Sequence, residues 1–319
     1  MTSTKHGAYS ANNTLVDYIL GITYEIWEEG AVDLIDNYYG AETLVYGLDG
    51  ITHGAAGSIE GTRAMLAAFP DRLLLGDDVI GRGDVHSGYS SHRVVSPMTN
   101  SGDSMFGPAT HKKVRIMNMA DCAIEDGVIV EEWLARDNLA LVRQLGFDMM
   151  AAANVLKARR TDELDRWFAD EAQRLRAASP PAAPAAGVDH QALLEALWIS
   201  GSDTTFESSY THYSVLHRSP VEIFSGAPAI AGHYADLRNA FTINGASIDH
   251  VCVQNAGDDA DHVAVRWAVC GEHSGDFQGI GATGKPVYIM GVTHRRMVNG
   301  RIAVEWTVFD SLGVMAQLL

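Results

Sequence analysis

Residues 128–146, VIVEEWLARDNLALVRQLG, and residues 301–319, RIAVEWTVFDSLGVMAQLL, are two versions of one stretch of sequence. They stand 173 positions apart, counted from Asp137 to Asp310. Ile129/Ile302, Glu132/Glu305, Trp133/Trp306, Asp137/Asp310, Leu139/Leu312, Gln144/Gln317 and Leu145/Leu318 coincide in register. A period this long marks a duplicated domain, because solenoid units recur every few dozen residues. In each copy a largely apolar strand ends on one aspartate.

Working outward, the two copies share an order of elements. Leu15, Ile19, Ile22 and Ile26 fall at helical spacing in residues 13–30, which predicts an amphipathic first helix. A short helix between Gly30 and Gly40, a strand at ETLVYG and a helix over Ser58–Phe69, ended by Pro70, follow. Strands are expected near 72–81, 86–97, 111–123 and 128–137, with a closing helical turn at Leu139–Gly146. Residues 149–177 favour a helix by composition, and SPPAAPAAG (179–187) reads as a semi-rigid linker. The second copy restarts with HQALLEALW as a helix and SVLHR as a strand. A helix at Ala227–Phe241 and strands near 245–254, 261–273, 286–297 and 301–310 complete it. Glu125–Gly127 and Asn299–Gly300 are hairpin turns by residue type. The expected organisation is a first domain at 1–148, a helix and linker at 149–187, and a second domain at 188–319. Each domain is α+β, a curved antiparallel sheet packed on helices and closed into a cone with an apolar interior.

Alternation along a strand places Asp310, Val308, Trp306, Val304 and Ile302 on one face, all apolar except the aspartate. Phe309, Thr307, Glu305 and Ala303 fall on the other, read as a mixed outer surface. In copy one the same alternation aligns Ile129, Glu131, Trp133, Ala135 and Asp137. A carboxyl group on an apolar inner face has its pKa raised by burial, which suits proton abstraction beside a carbonyl. Asp310 also precedes Ser311-Leu312-Gly313, so it equally suits a cap on the final turn, and alternation does not separate cap from base. His217, His273 and His294 are candidate acid, base or donor groups in copy two, with Tyr46 or Gly47, Asn100 and Asp121 near the corresponding places of copy one. Arg93 and Arg266 match across the repeat, as a structural ion pair or an oxyanion site. Trp133 and Trp306 are core residues that would also line the pocket wall.

The bulk composition excludes other classes. The net charge of −17 argues against nucleic acid or an anionic membrane surface as partner. No apolar stretch is long enough to span a bilayer, and MTSTKHGAYS lacks the apolar core of a secretory signal. Three cysteines, an odd count without framework spacing, suit a reducing cytoplasm. The histidines show no HExxH or other short ligand spacing, so no metal is expected. Gly47-Leu48-Asp49-Gly50-Ile51-Thr52-His53-Gly54 has neither a dinucleotide fingerprint nor a Walker lysine, so no nucleotide site is read there.

HVAVRWAVCGEHSGDFQGIGATGKPVYIMGVTHRRMVNGRIAVEWTVFD with its LG…QL ending resembles the SnoaL-like polyketide cyclases, within the nuclear-transport-factor-2-like superfamily. GVIVEEWLARDNLALVRQLG and IEGTRAMLAAFPD carry the resemblance in copy one, whose middle strands have drifted. The resemblance implies paired cone-shaped barrels, here as an internal pseudo-dimer or a homodimer, and no cofactor. It implies an acid/base role in an intramolecular aldol closure for Asp310, and for Asp137 in copy one, with His294 as the second group. Trp306, Val308, His217, His273, Arg266 and Trp133 would then contact a small hydrophobic carbonyl compound. The expected function is cofactor-independent cyclase or isomerase chemistry. The alternatives are a non-catalytic binding or dimerisation module, or a hydrolase or dehydratase in the same cavity.

Overall fold

The computed structural model describes residues 14–177, 184–255 and 260–319; the N-terminal decapeptide and most of the Pro/Ala linker therefore lie outside the described residues. The chain divides into two compact units, Met1–Val155 and Leu156–Leu319.

Unit 1 opens where Thr14 accepts a hydrogen bond from the Asp17 backbone N at 3.1 Å. The Asp17 carboxylate returns one from Thr14 N, closing a capping box. Helix α1 (Leu15–Thr23) ends in a π-helical turn, Tyr24–Glu28, and buries the predicted Leu15, Ile19, Ile22 and Ile26. Then come α2 (Ile35–Tyr38), β1 (Tyr39–Gly47), β2 (Gly50–His53) and α3 (Gly54–Ala68). The strands β3 (Leu75–Gly83), β4 (Ser87–Thr99), β5 (Lys113–Glu125) and β6 (Val128–Arg136) lead to α4 (Asn138–Leu145). The sheet order is β2-β1-β6-β5-β4-β3.

The region expected as one linking helix is two: α5 (Met149–Ala158) and α6 (Asp162–Arg176). Thr161 interrupts them by capping α6 through Leu164 N, ahead of an acidic first turn of Asp162, Glu163 and Asp165. Helix α6 packs on the sheet of unit 2, with Trp167 and Phe168 against Tyr288 and Arg174 paired with Asp249.

Unit 2 repeats the order: α7 (His190–Glu195), a second π-helical turn at Ala196–Ser200, α8 (Asp203–Ser209), β7 (Tyr210–Ser219), β8 (Glu222–Ser225) and α9 (Ala227–Ala240). The strands β9 (Phe241–Asn255), β10 (Ala260–His273), β11 (Pro286–Val298) and β12 (Arg301–Phe309) precede α10 (Ser311–Leu318). Their order, β8-β7-β12-β11-β10-β9, is that of unit 1.

Both sheets are mixed rather than wholly antiparallel. β1 pairs parallel with β6, and β7 parallel with β12. The long helix after each first hairpin carries the chain across to the far edge, so the last strand returns beside the first in the same direction. The short strands β2 and β8 were not expected; at four residues each they carry too little alternation to register. The two hairpin turns are as expected: Asp126-Gly127 and Asn299-Gly300 all have positive φ, the requirement of a two-residue hairpin turn.

The closing helices are fixed alike. Gln144 accepts from Arg115 N and donates to Arg115 O, at 2.9 and 3.0 Å. Gln317 does the same to Tyr288, at 2.9 Å for each bond. Cys122, Cys252 and Cys270 are buried, and none of the three is in a disulfide. Among the described residues no helix is long and apolar enough to cross a membrane.

Candidate active site

One residue sets which side chains of β12 meet the helices. In the β11–β12 ladder Met297 faces Ile302 while Arg296 faces Val304, leaving Ala303 unopposed. Val130 is unopposed in the same way, between Ile124↔Ile129 and Ala123↔Glu131. A one-residue bulge reverses every side chain beyond it. Glu305, Thr307 and Phe309, expected on an outer surface, therefore lie on the face covered by α7 and α9. Trp306, Val308 and Asp310 lie on the opposite one.

Glu305 is fully buried and accepts four hydrogen bonds. Tyr210 OH and Arg295 Nε reach Oε2 at 2.7 and 2.8 Å. Tyr234 OH and Thr307 Oγ1 reach Oε1, each at 3.1 Å. Burial and then the charge of Glu305 hold the hydroxyls of Tyr210 and Tyr234 well above the ordinary tyrosine range, so both stay protonated donors. Burial opposes the charge on Arg295, but Glu305 outweighs it and raises the pKa of the guanidinium. Arg295 Nη1 meets His190 Nδ1 at 2.6 Å, and burial followed by that neighbouring charge pushes His190 down to about 3. The imidazole is thus the acceptor in this contact.

The network continues along the sheet. Thr307 Oγ1 and Thr293 Oγ1 are 2.9 Å apart, and Trp267 Nε1 donates to Thr293 at 2.9 Å. Trp267 packs with Trp198 and Phe309 at ring separations of 5.3 and 6.1 Å. Gly291 makes room for it, since a Cβ there would come within 2.3 Å of the indole.

At the other end of this face, Arg218 donates to Thr307 O at 2.7 Å and lies over the Phe309 ring at 4.0 Å. His233, on α9 beside Tyr234, stacks on Phe224 at 4.6 Å. Its Nε2 is buried and has no hydrogen-bond partner among the described residues. Burial and then Arg218 push His233 down to about 3, so the ring is neutral at physiological pH.

The residues singled out in the sequence sit elsewhere. Asp310 is 2% exposed and caps α10, its Oδ1 accepting from Leu312 N and Gly313 N at 3.1 Å each. Asp137 caps α4 through Ala140 N at 3.3 Å. His294 is opposite Trp306 in the ladder, and Trp306 stacks on His217 at 5.5 Å, so these three share the face of Val308 and Asp310. Trp133 stacks on Tyr46 at the equivalent place. Arg266 lies near Asp249, and Arg93 pairs with Asp77 at 2.8 Å, the ion-pair reading of that repeated position. His273 holds the loop after β10, its Nδ1 3.0 Å from Thr283 Oγ1. Asn100 does the same work in unit 1, binding Gly102 O and Thr110. The structure thus gathers Asp310, His294, Trp306, Val308 and His217 on one face, and leaves His273 apart from them at a strand end.

Glu305, Tyr210, Tyr234, Arg295, His190, Arg218 and His233 were missed. Comparing the copies position by position gives the signal. Tyr39 and Glu132 repeat Tyr210 and Glu305, bonded at the same 2.7 Å. Arg218, His233, Tyr234, Trp267, Thr293, Arg295 and Thr307, by contrast, replace Gly47, Gly61, Thr62, Val94, Ala120, Cys122 and Leu134. The Tyr–Glu pair belongs to the fold, and the added polar groups belong to unit 2 alone.

A tandem pair of α+β units, each a six-stranded mixed sheet with helices on it, is the class defined by this geometry. Residues 18–145 and 188–318 match the SnoaL-like polyketide cyclase family, one match per unit, and the chain belongs to that family. Among solved structures it is similar to TsrD from Streptomyces laurentii, with 23% identity, a TM-score of 0.37, and coverage of 41% of this chain and 94% of that one. A putative polyketide cyclase from Acidithiobacillus ferrooxidans is similar at 21% identity and a TM-score of 0.38, covering 43% of this chain and 97% of that one. AclR, a putative hydroxylase from Streptomyces galilaeus, is similar at 20% identity and a TM-score of 0.35, covering 40% and 93%. No curated protein sequence matches the chain.

Proposed function

We propose that unit 2 is a cofactor-independent acid/base catalyst of the cyclase or isomerase type, acting on a small, largely apolar ketone held between its sheet and α9. The observation that carries this reading is His233, whose buried Nε2 has no hydrogen-bond partner among the described residues. A buried polar atom left unpaired is costly, and such groups mark sites that a ligand completes.

In the proposed step Nε2 takes a proton from the carbon beside the carbonyl, and the electron pair moves onto the carbonyl oxygen. Arg218 faces the resulting enolate with a permanent positive charge. The enolate then attacks a second carbonyl of the same molecule, whose new alkoxide takes the proton back from His233, or it is reprotonated by His233 at another carbon. The low basicity of His233 belongs to the ligand-free site, because an enolate forming beside the ring favours its protonated form. Phe224, Phe309 and Trp198 supply apolar contact for the body of the substrate.

A second reading keeps Asp310 as the base with His294 beside it, a role the family resemblance suggests. In its favour, Asp310 and His294 are both buried, at 2% and 0% exposure, toward the same end of the sheet. The test common to both readings is proton exchange at the α carbons of β-tetralone in deuterium oxide, followed by NMR with the full chain. Acid/base catalysis predicts exchange faster than in buffer by roughly a hundredfold or more. Exchange at the buffer rate would favour a binding module without chemistry.

A further inference from the structure

Unit 1 lacks the polar groups of unit 2 but carries a cationic cluster of its own on the helix-covered face of β6. Arg136 stands where unit 2 has Phe309, and its Nη1 donates to Asp49 Oδ1 at 2.8 Å. Asn138 Nδ2 reaches the other oxygen of Asp49 at 3.2 Å. Gly47 permits this arrangement, since a Cβ there would come within 2.6 Å of Asp49 Oδ1 and 3.2 Å of Arg136 Nη1. In unit 2 the arginine comes from the first strand instead, with Arg218 at the place of Gly47 and Phe309 at that of Arg136.

A second arginine comes from the connection between α3 and β3. Arg72 Nε donates to Ser96 Oγ at 3.2 Å, and Ser96 passes its own hydrogen to Leu73 O. Among the described residues no carboxylate pairs with Arg72. Its guanidinium is enclosed and near that of Arg136, and burial first and the like charge second bring it down to about 10. Asn118, opposite Arg136 in the β5–β6 ladder, is 6% exposed, and its Oδ1 has no hydrogen-bond partner among the described residues. Rotation of that amide presents either its oxygen or its N–H to the same space.

Arg136 is thus paired with Asp49 and lies near the buried carboxyl group of Glu132, whereas the guanidinium of Arg72 has no ion-pair partner among the described residues. Removing such a charge from water without a partner is unfavourable, and a bound anion offsets it. The side chain of Arg136 is 33% exposed, so the cluster is reachable from solvent. Leu134 and Leu66, partly buried against the core of the unit, supply apolar surface nearby.

We propose that unit 1 is a binding site for a small monoanionic carboxylate, gripped by Arg72, Arg136 and Asn118 with its apolar body toward Leu134. A carboxylate matches the one unpaired guanidinium, Arg72, in charge and in planar donor geometry, whereas a phosphate dianion overcompensates it. The site is independent of His233 and does not rest on catalysis by unit 2.

Isothermal titration of the full chain with benzoate and benzamide, which share one shape and differ in charge, tests this. The expected result is saturable benzoate binding, with benzamide weaker by about tenfold or more, as loss of a charged contact predicts. Arg136→Gln and Arg72→Gln weaken benzoate equally, and His233→Gln leaves it unchanged. Arg136 is partly exposed, so its variant is expected to keep the wild-type circular dichroism even if the Arg72 variant does not fold. Equal affinity for the amide, undiminished binding in Arg136→Gln, or no benzoate binding at millimolar concentration would overturn the proposal. Tighter binding of inorganic phosphate than of benzoate would overturn the choice of a carboxylate.

Discussion

Tyr210 gives its hydroxyl hydrogen to Glu305 across 2.7 Å, tying the start of the first strand of unit 2 to its last strand beyond the bulge. Tyr39 and Glu132 make the same bond in unit 1, although little else in the two interiors matches. A contact retained in both copies while its surroundings diverge is a fixture of the fold. Tyr210→Phe leaves a fully buried carboxylate one donor short, and the expected loss of stability is about 1–3 kcal/mol. Glu305→Ala also strands Arg295, for a loss of about 3–5 kcal/mol. Urea unfolding followed by tryptophan fluorescence measures both, and equal midpoints for Glu305→Ala and wild type would show the network to be energetically idle.

Gly291 and Trp267 form a close pair of a different kind. The indole occupies the volume that a side chain at 291 would take, with ring atoms within 2.3 Å of an added Cβ. Gly291→Ala therefore displaces Trp267 from Thr293 and costs about 1–3 kcal/mol. A red-shifted tryptophan emission with a lower melting temperature is expected. A melting temperature at or above that of wild type would mean that the sheet yields more readily than the packing implies.

His190 and His233 set a pH dependence whose sign follows from burial. Both are pushed from 6.5 to about 3 in the folded chain. Between those values the unfolded chain binds the extra protons, so their contribution is complete above pH 6.5 and falls away as pH drops toward 3. Glu132 and Asp249, raised by burial, act in the opposite direction, so the histidine part is read by difference. The stability of His190→Gln should fall less steeply than wild type over this range. Parallel curves for the two proteins would contradict the buried, neutral assignment.

The duplication, the order of elements and both hairpin turns were legible because they rest on repeated residues and on turn chemistry. The parallel pairing of first and last strands was not, since it depends on where a crossover helix delivers the chain. The face of β12 was not legible either. Alternation from Ile302 to Asp310 is unbroken in sequence, and the bulge at Ala303 changes no residue type while reversing which residues meet the helices. Polar residues such as Glu305 and Thr307 looked external for that reason alone. His233 and Arg218 carry no motif. They stand out only when set beside Gly61 and Gly47 of the other copy.

The most direct test of the account compares His233→Gln with Asp310→Asn in the exchange of β-tetralone protons. Asparagine caps a helix about as well as aspartate, so Asp310→Asn preserves α10 while removing a basic carboxylate. The account predicts that His233→Gln loses roughly a hundredfold or more of the rate. Asp310→Asn should keep the wild-type rate. The reverse pattern, with exchange lost in Asp310→Asn and intact in His233→Gln, would contradict it and return the chemistry to the aspartate at the end of the last strand.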